Sequence, residues 1–505
     1  MKVWQQDWAE KWALYSPDKI AVKEYETGKV LSYAQLNQAA IKTGNYLSKQ
    51  YGIHPGARIA VVADFCLEYI VLFTAAQKFG FVLVPLNYRL AVPEVRHILE
   101  DCSPDLFITE FKYSHYLSGL ETPKTIDLGE IQNIIESDAP STLIPTFEAD
   151  ENDCVFILYT SGTTGNPKGV KYTHKMLFWN SINTAMSLML NTESRTVNVM
   201  PPFHTGGWNV LLTPFLHHGA YTCICKKFDA AITLQLLVEE KATIYMGVPT
   251  MLQMMAQQPQ FAKADFSSLY YIIVGGEAMP IPLIEQYHAK GVAIRQGYGM
   301  TEVGPNLTSL HHHDAIRKIG SIGRPNFYVR TRIVNEKGQE CAVNEPGELW
   351  LNGPMTTPGY WNNEQVTKES FSEDGTWFKT GDMVRQDEEH YLYVVDRIKN
   401  MYISGGENVY PAEIEKVLIR LEGVKECTVI GVSDAKWGET GKAYIVLQEN
   451  APLYSQEALK DYCKSHLAKF KVPSYFEFLN ELPKNDAGKI DKKELRKMHE
   501  MRASG

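Results

Sequence analysis

The stretch YTSGTTGNPKGV, Tyr159 to Val170, gathers hydroxyls, three glycines and one lysine directly after the apolar run CVFIL. Glycines such as Gly162 let backbone N–H groups approach a ligand closely, and the hydroxyls of Thr160, Ser161, Thr163 and Thr164 donate to phosphate oxygens. Lys168 adds a compact point charge. This is not a Walker loop, which needs G-x-x-x-x-G-K-[ST], because Lys168 follows Pro167. A flexible surface loop is the plain alternative. A second stretch, QGYGMTE (296–302), sets an aromatic face, a hydroxyl and a carboxylate on one short turn. Tyr298 suits a purine, Thr301 suits a phosphate, and Glu302 is a hard oxygen ligand of the kind Mg²⁺ takes. Taken by itself, the Tyr298–Glu302 pair reads as core packing beside a surface charge.

These residues need strands that end where the loops begin. The pattern predicts them: RIAVVA (58–63), a helical run from Cys66 to Lys78, VLVPL, the helix-like VPEVRHILEDC and LFIT, then TIYMGV, YYIIVGG and AIRQGYG with helical partners. Continuous apolar strands bounded by helices predict parallel sheets covered on both faces. From about Gly320 the texture changes to VRTRIV, GELWLNG and HYLYVVD separated by NEKG and NEPG, a small antiparallel region. After Asp396 to Lys399 comes an α+β pattern: a helix from Pro411, strands CTVIGV and AYIVL, a helix from Gln456, strand YFEFL and a Lys-rich helical tail. The fold class predicted is α/β: a large N-terminal domain of two α/β subdomains plus a small β-region (1–395), and a mobile α+β C-terminal domain (396–505).

Length alone, 505 residues, exceeds one compact core and predicts at least two domains. With 59 acidic against 50 basic residues there is no basic excess, which argues against nucleic acid as a partner. No CxxC pair occurs among the eight cysteines, so a zinc site is not expected; scattered thiols suit a reducing compartment, and Cys223 and Cys225 read as core. The polar start MKVWQQDWAEKW lacks a signal core, and Gln77, Lys78 and Gly80 interrupt the most apolar window. A cytoplasmic protein without a transmembrane segment is the expectation, with peripheral membrane contact left open. HHH at 311–313 lacks partner spacing for a facial metal site and reads as loop; KKELRKMHE reads as a solvated helix.

Together YTSGTTGNPKGV, PPFHTGG (201–207), GGEAMP (275–280), QGYGMTE, FKTGD (378–382), DRIKNMYISGGENVYPAEIE (396–415) and PKNDAGKI (483–490) resemble, in order, the motifs of the AMP-forming adenylating enzymes. That superfamily includes acyl-CoA synthetases, luciferases and peptide-synthetase adenylation domains, and the likeness spans about residues 10–500. It implies that ATP or AMP is bound by Thr160, Ser161, Gly162, Thr163, Thr164, Lys168, Gly276, Glu277, Gln296, Gly297, Tyr298, Gly299, Met300 and Thr301, with Asp382 and Arg397 on the ribose and Lys399 at the hinge. Many relatives carry aspartate at that hinge position. Mg²⁺ would be held by Glu302 and Thr160, and Lys489 would bridge the attacking carboxylate and the α-phosphate. His204, Gly207 and Val248 would face the acid. Trp208 sits where some fatty acyl relatives have a gating tryptophan, with core packing the equal alternative. Gly405 and Gly406 would line the pantetheine channel, while Lys471, with Lys469, would meet the CoA nucleotide phosphate.

The resemblance thus implies an acid:CoA ligase using ATP and CoA, acting on a medium- or long-chain fatty acid, in a chain for which a homodimer is the family's habit. An aryl acid, or transfer to a carrier protein, are the alternatives. A nucleotide-binding protein without catalysis and a luciferase-type monooxygenase are the rivals; intact Lys489, Glu302 and Asp382 speak against the first. An amino acid substrate is disfavoured, because FHTGGWNVLLTPFL holds no aspartate to take an ammonium group.

Overall fold

The computed structural model describes residues 7–117, 124–142, 147–160, 167–275, 279–404, 407–434, 437–449, 451–485 and 489–503. The chain forms two compact units, one of residues 1–331 with 351–378 and one of 332–350 with 379–505. Compactness thus groups most of the small β-region with the C-terminal part of the chain, so the division falls upstream of the boundary expected at Asp396 to Lys399.

Three sheets build the first unit. The largest runs Lys124–Asp127, Leu106–Thr109, Arg58–Val62, Val82–Pro85, Cys154–Thr160, Lys168–Thr173. All its neighbours are parallel except the last pair, an antiparallel hairpin whose ends are Thr160 and Lys168. A second sheet runs Ile244–Gly247, Tyr271–Val274, Ala293–Tyr298, Thr308–Leu310, Arg324–Pro325, parallel over its first three strands and antiparallel beyond. The third joins Ile20–Glu24 and Val30–Ser32 to Tyr221–Ile224 and Arg195–Asn198. The predicted α/β order therefore holds, and the strand limits fall within a few residues of the apolar runs. In the second unit lie most of a four-stranded sheet closed by Phe378–Gln386 and Leu392–Arg397, then a sheet built on the long hairpin Val424–Asp434 and Gly438–Leu447. Helices Pro411–Leu418 and Gln456–His466 complete its α+β character.

Local chemistry explains the helices that matter. Helix Tyr33–Tyr51 starts at a capping box, Ser32 with Gln35, and stops at Gly52, whose φ of 70° a side chain would resist. Helix His174–Leu188 follows directly on the Lys168–Thr173 strand, with the Thr173 hydroxyl accepting from the Met176 N–H at 3.2 Å. That helix carries Asn180, Thr184 and Ser187 toward the second sheet. Cys223 and Cys225 are buried, as expected of a core pair.

Trp208 takes the core packing that the sequence left level with a gating role. Its side chain has no exposed surface, and its Nε1 donates to the Pro202 carbonyl at 2.6 Å. The indole lies 5.0 to 5.4 Å, centroid to centroid, from Phe65, Tyr69, Phe73 and Phe156. It packs the Gly206–Val210 turn against helix Leu67–Phe79 and strand Cys154–Thr160, a core placement. Trp208→Ala should accordingly cost about 3–5 kcal/mol of stability, read as a lowered urea midpoint; an unchanged midpoint would contradict this placement.

Candidate active site

The hairpin of the first sheet presents Thr160 and Lys168 as cross-strand partners at the mouth of the glycine-rich loop. Ser161, Gly162, Thr163 and Thr164 lie outside the described residues. Beside this hairpin runs residues 357–361, bound to it by backbone: Trp361 N–H donates to Gly169 O at 2.7 Å and Lys171 N–H to Gly359 O at 3.1 Å. The Thr357 hydroxyl donates to Lys171 O at 2.7 Å. Tyr360 is thereby held under the lysine, with Lys168 Nζ 5.7 Å from the centre of its ring. The Tyr360 hydroxyl donates to Glu302 Oε1 at 3.0 Å, and Thr357 N–H donates to Glu302 O at 2.7 Å. Glu302 is buried. Burial and then the charge of Glu302 hold the Tyr360 phenol far above its ordinary range, so it stays a neutral donor.

Glu302 reaches this place because the strand Ala293–Tyr298 ends in a tight turn. At Gly299 a Cβ would stand 2.0 Å from the Pro305 carbonyl oxygen, so the close backbone crossing excludes any side chain. Met300 O accepts from Val303 N–H at 3.3 Å, and Thr301 opens the single 3₁₀ turn that carries Glu302. Tyr298 ends the strand opposite Thr308, and Gly297 lies opposite Ser309. Gln296 is buried; its Oε1 accepts from Met279 N–H at 3.1 Å, tying the turn after Tyr271–Val274 to this strand. Gly276 and Glu277 in that turn lie outside the described residues.

The segment expected to face the acid is pinned just as closely. His204 O accepts from Gly207 N–H at 3.0 Å, and Gly207 O accepts from Asn198 Nδ2 at 2.8 Å. A Cβ on Gly207 would meet Pro201 O at 2.3 Å. Residues Gly206–Val210 form a π-turn, a form common at functional sites. Asn180 and Asn306 both donate to the Asn209 carbonyl, at 2.7 and 3.2 Å. Val248 caps helix Pro249–Ala256 at the end of strand Ile244–Gly247.

Within the second unit, Asp382 and Arg397 are opposite each other on paired strands and form an ion pair of 2.5 Å. Asp382 is 2% exposed while the Arg397 side chain is 45% exposed, so the arginine reaches solvent from a fixed carboxylate. Next to them Asp396 Oδ1 accepts from Arg397 N–H (2.6 Å) and Asn400 Nδ2 (3.1 Å), and Oδ2 accepts from Ala412 N–H (2.8 Å). Lys399 sits in the single turn so braced. Lys489 closes a turn in which its carbonyl accepts from Asn485 N–H at 2.7 Å and its N–H donates to Asn485 Oδ1 at 3.0 Å. Lys471 Nζ is 2.5 Å from Glu413 Oε2, an ion pair that already answers the charge expected to meet CoA. Gly405 and Gly406 lie outside the described residues. In the triplet read from the sequence as a loop without metal-site spacing, the ligand atoms of His311, His312 and His313 lie within 4.8 Å of one another.

Two family models match the chain: "AMP-binding enzyme" over residues 9–361 and "AMP-binding enzyme C-terminal domain" over 413–489. The chain belongs to the AMP-binding enzymes. Among similar members, feruloyl-CoA synthase of Amycolatopsis sp is 36% identical over 492 residues, 97% of this chain and 98% of that one. Long-chain-fatty-acid–CoA ligase FadD13 of Mycobacterium tuberculosis is 36% identical over 496 residues, covering 96% and 97%. The structure of o-succinylbenzoate coenzyme A synthetase from Bacillus subtilis with ATP and magnesium ion superposes with a TM-score of 0.86 at 30% identity, covering 97% of this chain and 99% of that one. This AMP-binding enzyme is therefore an AMP-forming acid–thiol ligase that uses ATP and CoA, and the expected fold holds. Its relatives act on acids of different kinds, so membership leaves the acid open. Among the described residues no helix is long and apolar enough to cross a membrane.

Sequence reasoning missed Tyr360, Thr357 and Asp396. Tyr360 stands 58 residues from Glu302, and no spacing rule links them; only its place after the P-G of TTPGYW marks a turn that brings an aromatic back to the sheet. Tyr360→Phe should leave the Glu302 carboxylate without its neutral donor. Hydrogen bonds to charged groups contribute about 1.5–3 kcal/mol, so kcat/KM for MgATP should fall by roughly ten- to a hundredfold, measured by pyrophosphate release. Wild-type kinetics would remove Tyr360 from the site.

Proposed function

We propose that this ligase activates an acid with an apolar body, a fatty chain or an aryl ring, at the end of the second sheet. The arrangement Lys168–Tyr360–Glu302 carries the reading: a cation, a neutral donor and a buried carboxylate converge where the glycine-rich loop begins. Met246 packs on an apolar group of Leu188, Val210, Leu211, Tyr271 and Ile273, two residues before Val248 in the chain, which supports an apolar acid. Because Trp208 is core, it lends no support to a fatty tunnel, and the fatty and aryl alternatives stand level.

In the first step a carboxylate oxygen attacks the α-phosphorus. The bond from that phosphorus to the bridging oxygen breaks, and pyrophosphate leaves with the electron pair. Lys168 and Lys489 offset the charge that builds on the phosphoryl oxygens. Tyr298 offers its ring to adenine, and Asp382 accepts from the ribose hydroxyls with Arg397 beside it. Glu302 and the Thr160 hydroxyl would hold Mg²⁺, which neutralises phosphate charge when bound with ATP. In the second step the CoA sulfur, its proton released to solvent, attacks the acyl carbon, and AMP leaves as the C–O bond breaks. Lys489 and the Gly405–Gly406 loop serve these steps in turn, so a swivel is required, with the braced turn at Lys399 as its pivot. A carrier-protein acceptor finds less support, since the curated relatives reported above are CoA enzymes.

ATP–pyrophosphate exchange across chain lengths and benzoates measures the acid directly; exchange only with amino acids would refute the apolar site. For Lys489→Ala, adenylation should drop about 10²–10³-fold, yet supplied acyl-AMP should still be converted to thioester. Equal loss of both half-reactions would refute that division of labour.

A further inference from the structure

Arg295 is the residue that neither the fold nor the reaction above explains. It is 3% exposed, two residues before Gly297 on the strand Ala293–Tyr298. Its Nη1 donates to the Ser187 carbonyl at 2.6 Å, and its guanidinium lies 4.3 Å from the Tyr271 ring centre. Its Nε is buried and has no hydrogen-bond partner among the described residues. No carboxylate forms an ion pair with it there; the ionisable groups that feel its charge are the Tyr271 phenol beside it and His311 and His312, the two histidines being of its own sign when protonated. Burial accordingly pulls its pKa below the ordinary value. A buried cation without a counter-charge is costly, and a protein that keeps one gains when an anion arrives.

The surroundings say where the anion would come from. Arg295 lines a cavity of about 20 Å³ together with Ser187, Gly297, Asn306, Ser309 and Asn326. That volume holds about one water, or one oxygen of a ligand. Strand alternation puts Arg295 and Gly297 on one face, and Gly297 adds no side chain to block the path between them. Leu188 and Ile273 belong both to the cavity wall and to the apolar group assigned to the body of the acid. Asn306 donates to the carbonyls of Asn209 and Val210, at 3.2 and 3.1 Å, in the π-turn that continues the His204–Gly207 segment.

We infer that the acid bears a second carboxylate at its far end, and that Arg295 receives it through this cavity. Arg295 is thus a specificity residue, choosing diacids over plain monoacids of equal length. This rests on the acid site assigned under Proposed function.

ATP–pyrophosphate exchange with the wild-type enzyme tests it, using straight-chain monocarboxylates against α,ω-dicarboxylates of the same carbon number, and cinnamate against 4-carboxycinnamate. At least one matched pair should favour the diacid by about tenfold or more in kcat/KM, the scale on which a site built around a polar group rejects an analogue lacking it. Arg295→Met should lower that diacid-to-monoacid ratio by at least about tenfold, with Arg295→Lys between the two. Preference for the monoacid in every pair with the wild type overturns the inference whether or not the variants fold, and leaves the ligase reading standing. So does a ratio that neither substitution moves. Exchange with no acid of either class overturns the ligase reading and this inference with it.

Discussion

A buried carboxylate must be paid for with hydrogen bonds, and in the first unit Glu302 receives its own from a tyrosine far along the chain. That requirement organises the side of the unit proposed to bind phosphate. Tyr360 reaches Glu302 only because residues 357–361 lie along the strand Lys168–Thr173, and the same strand sets Lys168 over the tyrosine ring. One backbone seam thus fixes a cation and an anion on either side of one aromatic residue. The phenol's raised pKa keeps its proton in place, so the donor role is constant across the pH range in which an enzyme works.

The segment proposed to face the acid is held by amides instead of charges. Asn180, Asn198 and Asn306 each donate to a backbone carbonyl of the stretch Gly207–Val210, holding a π-turn that its own geometry would not stabilise strongly. The turn is anchored from beneath by Trp208 in its aromatic cage. Apolar residues and a single buried guanidinium then meet behind it. Such a boundary gives a site both an apolar wall and a polar end, the combination that orients a ligand.

In the second unit, Asp396 braces the turn that holds Lys399, the position proposed as a pivot. One carboxylate collects three donors and ties the turn holding Lys399 to the start of helix Pro411–Leu418. A carboxylate near a helix N-terminus is favourably placed. Asp382, about three-quarters of the way along the chain, is fixed by a cross-strand arginine and by the turn hydroxyl of Thr380 that accepts from its N–H.

The sequence by itself determined the order of strands and helices, because apolar runs and their periods are local, and it determined the loops where ligands meet backbone, because glycine, proline and hydroxyl residues cluster there. It also carried the family, since Thr160, Lys168, Glu302, Asp382 and Lys489 sit in motifs whose order is written along the chain. Tertiary structure alone decided what each side chain faces. Trp208 stood level between gate and core until its four aromatic neighbours, up to 143 residues away, closed around it. Tyr360 and Arg295 passed unnoticed because their partners, or the want of one, arise only when distant strands come side by side. Spacing encodes local geometry; burial and charge balance are sums over the whole fold.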